Sequence, residues 1–118
     1  LTVPDCIAFM QAHNWKEVSR ACHLMVLENA QRFYDLLGTQ PISPLTDEWI
    51  GQMISIPIKT DQPELLQRTL FLDYTIEIPI MRQDNDVYMR YSINAFNTVA
   101  QLDALYDALV QLKEKGLL

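Results

Sequence analysis

The chain is 118 residues long, 49% hydrophobic and 20% charged, with three glycines and six prolines. That is the make-up of one ordinary globular domain, and it excludes a disordered tract, a collagen and a disulfide-built scaffold. Nine Lys and Arg against fifteen Asp and Glu leave a formal net charge of -6, which opposes binding to a phosphate backbone and argues against nucleic acid as a partner. The longest aliphatic run, Leu24-Met25-Val26-Leu27, falls far short of the roughly 20 residues of a membrane span, so no membrane partner is expected.

The N-terminal third reads as two helices. Thr2-Val3-Pro4-Asp5 supplies a cap, an early proline and an acid, opening a short helix that runs to about Gln11. His13-Asn14 breaks it. Asn14 followed three residues later by Glu17 has the form of a capping box, and Val18, Cys22, Met25, Asn29, Phe33 and Leu36 recur at helical spacing as far as Gly38. Gly38 is a natural stop. Cys6 and Cys22 sit on these helices outside any CxxC or zinc-like cluster, so both are expected to be buried free thiols. The chain starts at Leu1 with no charged and then apolar leader; no export signal is visible, and either processing or excision from a longer polypeptide is expected.

Residues Thr39 to Pro44 have loop composition, and Thr46 to Trp49 suit a single helical turn before Gly51. The hydrophobic period then changes from helical to alternating. Ile54, Ile56 and Ile58 alternate with Ser55 and Pro57 in a first strand; Ile76, Ile78 and Ile80 alternate with Glu77 and Pro79 in a second. Between them Asp61, Pro63 and Glu64 open a helix whose inward face is Leu65, Leu66, Thr69 and Leu70. Gln83-Asp84-Asn85-Asp86 reads as a hairpin loop of about four to six residues, leading to a third strand over Val87 to Ile93. Its acids resemble a calcium loop only weakly, because the glycine and distal glutamate of an EF-hand are missing. Thr98-Val99-Ala100-Gln101 is a second capping box, followed by Leu102, Leu105, Tyr106, Leu109 and Leu112 on one helix face and a stop at Gly116.

No repeat, low-complexity tract or linker interrupts this order, so residues 1–118 form one α+β domain, α-α-β-α-β-β-α. Proline selects the strand order. Pro57 and Pro79 each remove a ladder donor from the first and second strands, whereas the third has no proline and can therefore be central. The expected arrangement is a small, mostly antiparallel three-stranded sheet in the order 1-3-2, packed against helices as in a split β-α-β unit.

On the third strand Val87, Met89, Tyr91 and Ile93 point one way, and Tyr88, Arg90 and Ser92 the other. An arginine at the centre of a sheet suits a polar cleft that receives a carboxylate on two parallel N–H donors; a solvated sheet face is the competing explanation. His13 and His23 lie ten residues apart with no orienting acid and nucleophile nearby in sequence. Lys16, Lys59, Lys113 and Lys115 all fall near element ends, away from the apolar surroundings that would make a lysine a Schiff-base former. No catalytic residue, metal site, cofactor-binding residue or glycine-rich phosphate loop is expected in this chain.

The segment Met89-Arg90-Tyr91-Ser92-Ile93-Asn94-Ala95-Phe96-Asn97-Thr98, followed by Leu102-Asp103-Ala104-Leu105, resembles the closing motif of class V aminotransferase-like enzymes, which bind pyridoxal phosphate on the fold type I scaffold. Upstream, Val3-Pro4, Ala8-Phe9-Met10, His13-Asn14-Trp15 and Gly51-Gln52-Met53 look most like the isopenicillin N epimerase branch of that family. The resemblance spans essentially the whole chain. It implies the C-terminal small domain of a larger, cytoplasmic, homodimeric enzyme acting on an amino-acid-type substrate, the pyridoxal phosphate being held by an absent large domain. It further implies that Arg90 binds the substrate's α-carboxylate and that Ser92, Phe96 and Asn97 are structural positions of the motif. Desulfurase chemistry is disfavoured, because the Ile80 to Val87 connection lacks the cysteine which that branch carries there. The domain partner would cover the apolar side chains expected to be exposed, Ile7, Phe9, Met10 and the Trp49-Ile50 turn. A free-standing acidic α+β binding or interaction module is the alternative.

Overall fold

The structure is a computed structural model and describes residues 2–118. Its elements are α1 (Thr2–Ala12), α2 (Trp15–Leu37), β1 (Met53–Ile58), α3 (Pro63–Tyr74), β2 (Ile80–Gln83), β3 (Asp86–Ser92) and α4 (Val99–Glu114). The sheet order is β1-β3-β2, with β3 antiparallel to both neighbours. This is the expected α+β arrangement. Pro57 lies on edge strand β1 opposite Tyr88, where its missing N–H costs no ladder bond on the open side. None of the helices is long and apolar enough to cross a membrane among the described residues.

The register puts Ile54 opposite Tyr91, Ile56 opposite Met89 and Ile58 opposite Val87, with Ile80 also opposite Met89. These inward side chains, with Val26, Phe33 and Leu37 of α2, Leu66 and Leu70 of α3, and Leu105, Leu109 and Leu112 of α4, form one buried cluster. The helices therefore cover one face of the sheet. Ser55, Pro57, Tyr88 and Arg90 lie on the other face, which stays half-open. Two core tyrosines satisfy their hydroxyls on backbone, Tyr34 donating to Ser55 O at 3.2 Å and Tyr91 to Val26 O at 3.4 Å. Burial raises the pKa of both phenols.

Side chains tie the helices to one another. Arg32 of α2 reaches Asp103 of α4 at 2.6 Å and lies 5.3 Å from the Phe33 ring centre and 5.4 Å from that of Tyr106. Lys113 donates from the end of α4 to Leu36 O in the last turn of α2, answering a carbonyl that the helix leaves unpaired. At the start of α4 the Thr98 N–H donates to Gln101 Oε1 at 3.1 Å. At its end Gly116 (φ 75) lets Leu117 N bond to Leu112 O at 3.0 Å and Gly116 N to Lys113 O at 3.0 Å, which is a Schellman stop.

Several expectations are corrected. Asn14 does not cap α2 through its side chain: it adopts φ 49, ψ 47, and its carbonyl accepts from Glu17 N and Val18 N. Asparagine tolerates the left-handed region, so it makes a tight corner between α1 and α2 instead. The buried stripe of α2 is Cys22, Val26, Ala30, Phe33, Tyr34 and Leu37, rotated from the expected one, so Asn29 and Leu36 sit on its margin. Cys6 is exposed, because α1 buries none of its residues. Helix α3 is preceded by Gln62 rather than Asp61, and Leu65 is 44% exposed.

The second strand begins at Ile80 rather than Ile76. The lead-in from Thr75 to Pro79 still buries Ile78 but cannot complete a ladder, since proline has no N–H to give; Pro79 O does accept from Arg90 N at 3.0 Å. The hairpin turn is also shorter than expected. Gln83 pairs with Asp86, leaving only Asp84-Asn85 in the turn, with Asp84 at φ 53. An acid able to enter the left-handed region serves where glycine would be usual.

Thr75, after α3, has φ 57 and ψ 34, a conformation that costs a β-branched residue roughly 1–2 kcal/mol. Its side chain is exposed. Thr75→Gly is therefore expected to raise unfolding free energy by about 1 kcal/mol in a urea titration, and an unchanged or lower midpoint would contradict this.

Candidate functional site

Arg90 sits in the middle of central strand β3, opposite Ser55 on β1, and its backbone N–H is held by Pro79 O on the other side. Both edges of its strand are thus fixed, and alternation sends the side chain to the face that the helices leave open. The guanidinium is half-buried and forms no ion pair among the described residues; the ion pairs there are His23 with Asp47 and Arg32 with Asp103. Its fork of donors is free for an anion.

A cavity of about 460 Å³ opens beside it, between the end of β3, the start of α4 and the stretch that follows α3. Arg90, Ser92, Glu77, Tyr74, Asn97 and Gln101 supply its polar lining. Most of those polar groups are already engaged. The Tyr74 hydroxyl donates to Gln111 Oε1 at 3.1 Å and accepts from Lys115 Nζ at 3.3 Å. Asn97 Oδ1 accepts the Asn94 N–H at 2.8 Å, and Asn97 Nδ2 donates to Gln101 Oε1 at 3.1 Å. Asn97 thus locks the turn that joins β3 to α4 and orients the wall facing Arg90. Phe96 in the same turn is 77% exposed and packs outside this chain's core.

The other sequence candidates lie elsewhere. His13 Nδ1 contacts Phe9 O at 2.8 Å, and its ring stacks on Phe9 with centroids 4.0 Å apart, a local contact at the end of α1. His23 Nε2 lies 2.9 Å from Asp47 Oδ1 and anchors the turn in which Trp49 N and Ile50 N both bond to Thr46 O at 3.0 Å. The hydrogen bond from His23 holds the Asp47 carboxyl below its ordinary 3.8. Because the folded-state value is depressed, the contribution is present above 3.8 and is lost as pH falls through the folded-state value. Acidification is therefore expected to release this turn and shift Trp49 fluorescence, and Asp47→Asn to abolish that acid transition; a transition unchanged in the variant would contradict the linkage.

The expected apolar surface is partly corrected. Ile7, Phe9 and Met10 are 51%, 54% and 44% exposed and Trp49 is 64% exposed, but Ile50 is 8% exposed and belongs to the core. Phe71 and Leu72 on the outer side of α3, at 55% and 59% exposed, add to this surface and lie outside the apolar residues expected to be exposed. Glu77 was also missed: in an alternating stretch it reads as an ordinary outward residue, and only the fold brings it to the cavity of Arg90.

The architecture has a counterpart among solved structures. The crystal structure of 8-amino-7-oxononanoate synthase from Francisella tularensis matches 92% of this chain with a TM-score of 0.58 at 20% sequence identity. The shared property is the fold. The chain spans 32% of that synthase chain, so the counterpart is one part of a longer enzyme. No family model and no curated protein matches the sequence.

Proposed function

We propose that this chain is the substrate-carboxylate-binding C-terminal domain of a pyridoxal-phosphate-dependent enzyme that transforms an amino acid. The observation that carries this reading is Arg90, a guanidinium without an anionic partner among the described residues, carried by the central strand beside a cavity. The R-x-S strand of Arg90 and Ser92, and the Asn97 turn, support the class V aminotransferase-like assignment. A structural counterpart within a longer synthase supports a domain of a larger protein.

The chain's part in the chemistry is to bind and orient. Two parallel N–H donors from Arg90 fix a carboxylate in position and in plane, which restricts rotation about the substrate's Cα. Pyridoxal phosphate, when bound elsewhere in the full protein, supplies the electron sink for charge developing at that carbon. This chain does not itself fit the cofactor: Lys16, Lys59, Lys113 and Lys115 are all exposed, and Lys113 and Lys115 are engaged with Leu36 O and the Tyr74 hydroxyl. A cofactor lysine needs a desolvated amine. At the finer level we assign an isopenicillin N epimerase-like enzyme, homodimeric and cytoplasmic, on the Val3-Pro4, His13-Asn14-Trp15 and Gly51-Gln52-Met53 segments. The rest of that protein would cover α1, Trp49 and the outer side of α3.

The intact mass and visible absorbance of the protein purified from its source test the reading. A polypeptide roughly three times as long as this chain, carrying bound pyridoxal phosphate that borohydride fixes to a lysine outside these residues, is expected. A mature product of 118 residues would instead support a free-standing module, and a stoichiometric pyridoxyl adduct on one of this chain's own lysines would contradict the proposed division of labour.

A further inference from the structure

Glu77 borders the same cavity as Arg90, and it too has no ion-pair partner among the described residues, whose ion pairs are His23 with Asp47 and Arg32 with Asp103. Among the described residues, these two are the only formally charged side chains on the cavity wall. Opposite charges sharing one concavity would ordinarily pair with each other or be quenched by neighbours, yet here they are more than a salt-bridge distance apart. Tyr74, Asn97 and Gln101 spend their polar atoms on one another and on adjacent elements, so none of them neutralises either charge.

The spacing has a backbone cause. Arg90 N is bonded to Pro79 O, and Glu77 lies two residues upstream on the same extended stretch and the same face, an offset of about 6.5 Å along the strand direction. Glu77 also edges a second cavity that contains Arg68. Arg68 forms no ion pair with Glu77, nor with Glu64 one helical turn before it on α3, among the described residues.

We propose that Glu77 determines specificity by receiving a distal cation, so that the ligand of this cavity is a basic amino acid with its carboxylate on Arg90 and its side-chain ammonium or guanidinium at Glu77. This inference rests on the Arg90 reading and extends it from a carboxylate to a substrate class. A simple α-amino acid would satisfy only one end of the cavity. A side chain of four or five atoms ending in a cation spans the offset and meets both charges, and the gain is modest because the carboxylate is solvent-exposed.

The test is a titration of the ¹⁵N-labelled full-length protein with L-lysine and, separately, with L-norleucine, which has the same carbon skeleton without the distal ammonium. Both ligands should shift the Arg90 Nε–H and Ser92 amide signals, with lysine binding about fivefold more tightly and also shifting the Glu77 and Ile78 amides. Glu77→Gln should erase the preference while leaving norleucine affinity unchanged; Asp107→Asn, an exposed α4 position with the same change in net charge, should preserve it. Equal binding of the two ligands, or a preference that survives Glu77→Gln, would overturn the proposal while leaving Arg90 as the carboxylate site. Lysine shifts confined to Glu77 and unaffected by Arg90→Ala would overturn the carboxylate reading itself, and no saturable shift by either ligand in the millimolar range would overturn both. A new Glu77–Arg68 pair seen in the unliganded chain, with Glu77 withdrawn from the cavity, would also contradict it.

Discussion

If the chain works as proposed, Arg90→Ala in the full-length enzyme is expected to lower kcat/KM for its amino acid substrate by an amount equivalent to about 2–5 kcal/mol of transition-state stabilisation. The size follows from what the guanidinium does. On the proposed reading it would supply two directed donors to one carboxylate, so truncation would lose the pair and leave the substrate anion without its counter-charge. Arg90→Lys retains the charge but replaces a planar fork with a single point donor, and should fall between the two. Arg90 lies outside the buried cluster, so both variants should keep the wild-type unfolding midpoint, which separates a binding defect from a folding one. Wild-type kcat/KM in Arg90→Ala would return this residue to a solvated sheet face.

The second large effect concerns alkaline stability. Tyr91 is buried against α2 and its phenol pKa is raised well above 10.0, first by desolvation and then by the proximity of Tyr34, with Arg32 opposing weakly. Tyr34 is shifted in the same direction by its own burial. In the unfolded chain both phenols ionise near 10.0, whereas the folded protein keeps its protons, so between the unfolded and folded values the unfolded state binds fewer protons and stability falls as pH rises. Each such tyrosine contributes a slope of up to about 1.4 kcal/mol per pH unit. Urea midpoints measured across this range should decline steeply in the wild type and about half as steeply in Tyr91→Phe. Parallel slopes would show that Tyr91 titrates freely in the folded state.

The sheet order was legible in the sequence because a negative constraint decided it. Pro57 lies within β1 and Pro79 in the stretch leading into β2, whereas β3 has no proline, and a donor missing from the ladder is tolerated only at an edge. The stop at Gly116 and the Gln101 cap were equally legible, since each is a local requirement of one helix end. Asn14 and Asp84 were harder: the same side chains that favour helix caps and loops also tolerate positive φ, and sequence alone did not separate a capping bond from a tight corner. The start of β2 was misplaced for a related reason. Ile76, Ile78 and Ile80 do extend and alternate, but pairing needs donors as well as side-chain pattern, and Pro79 withholds one.

The candidate site was half legible. Arg90 stood out because a long cationic side chain in mid-strand is uncommon in a sheet with an apolar face, and proline exclusion placed it on the central strand. Glu77 gave no such signal. Its importance arises from a tertiary coincidence, the hydrogen bond from Arg90 N to Pro79 O that aligns the two chain segments. The outward apolar residues of α1 and α3 were ambiguous in another way, since helical periodicity marks which residues share a face without saying whether this chain or another part of the protein covers it.

The central claim is that this domain places Arg90 to grip a substrate carboxylate. A crystal structure of the full-length protein with a bound, unreactive amino acid analogue tests it most directly. The account predicts both carboxylate oxygens within hydrogen-bond distance of the Arg90 guanidinium, inside the cavity that the turn of Asn97 walls. A carboxylate held by a different cation, with Arg90 turned away into solvent or paired to another side chain, would contradict it.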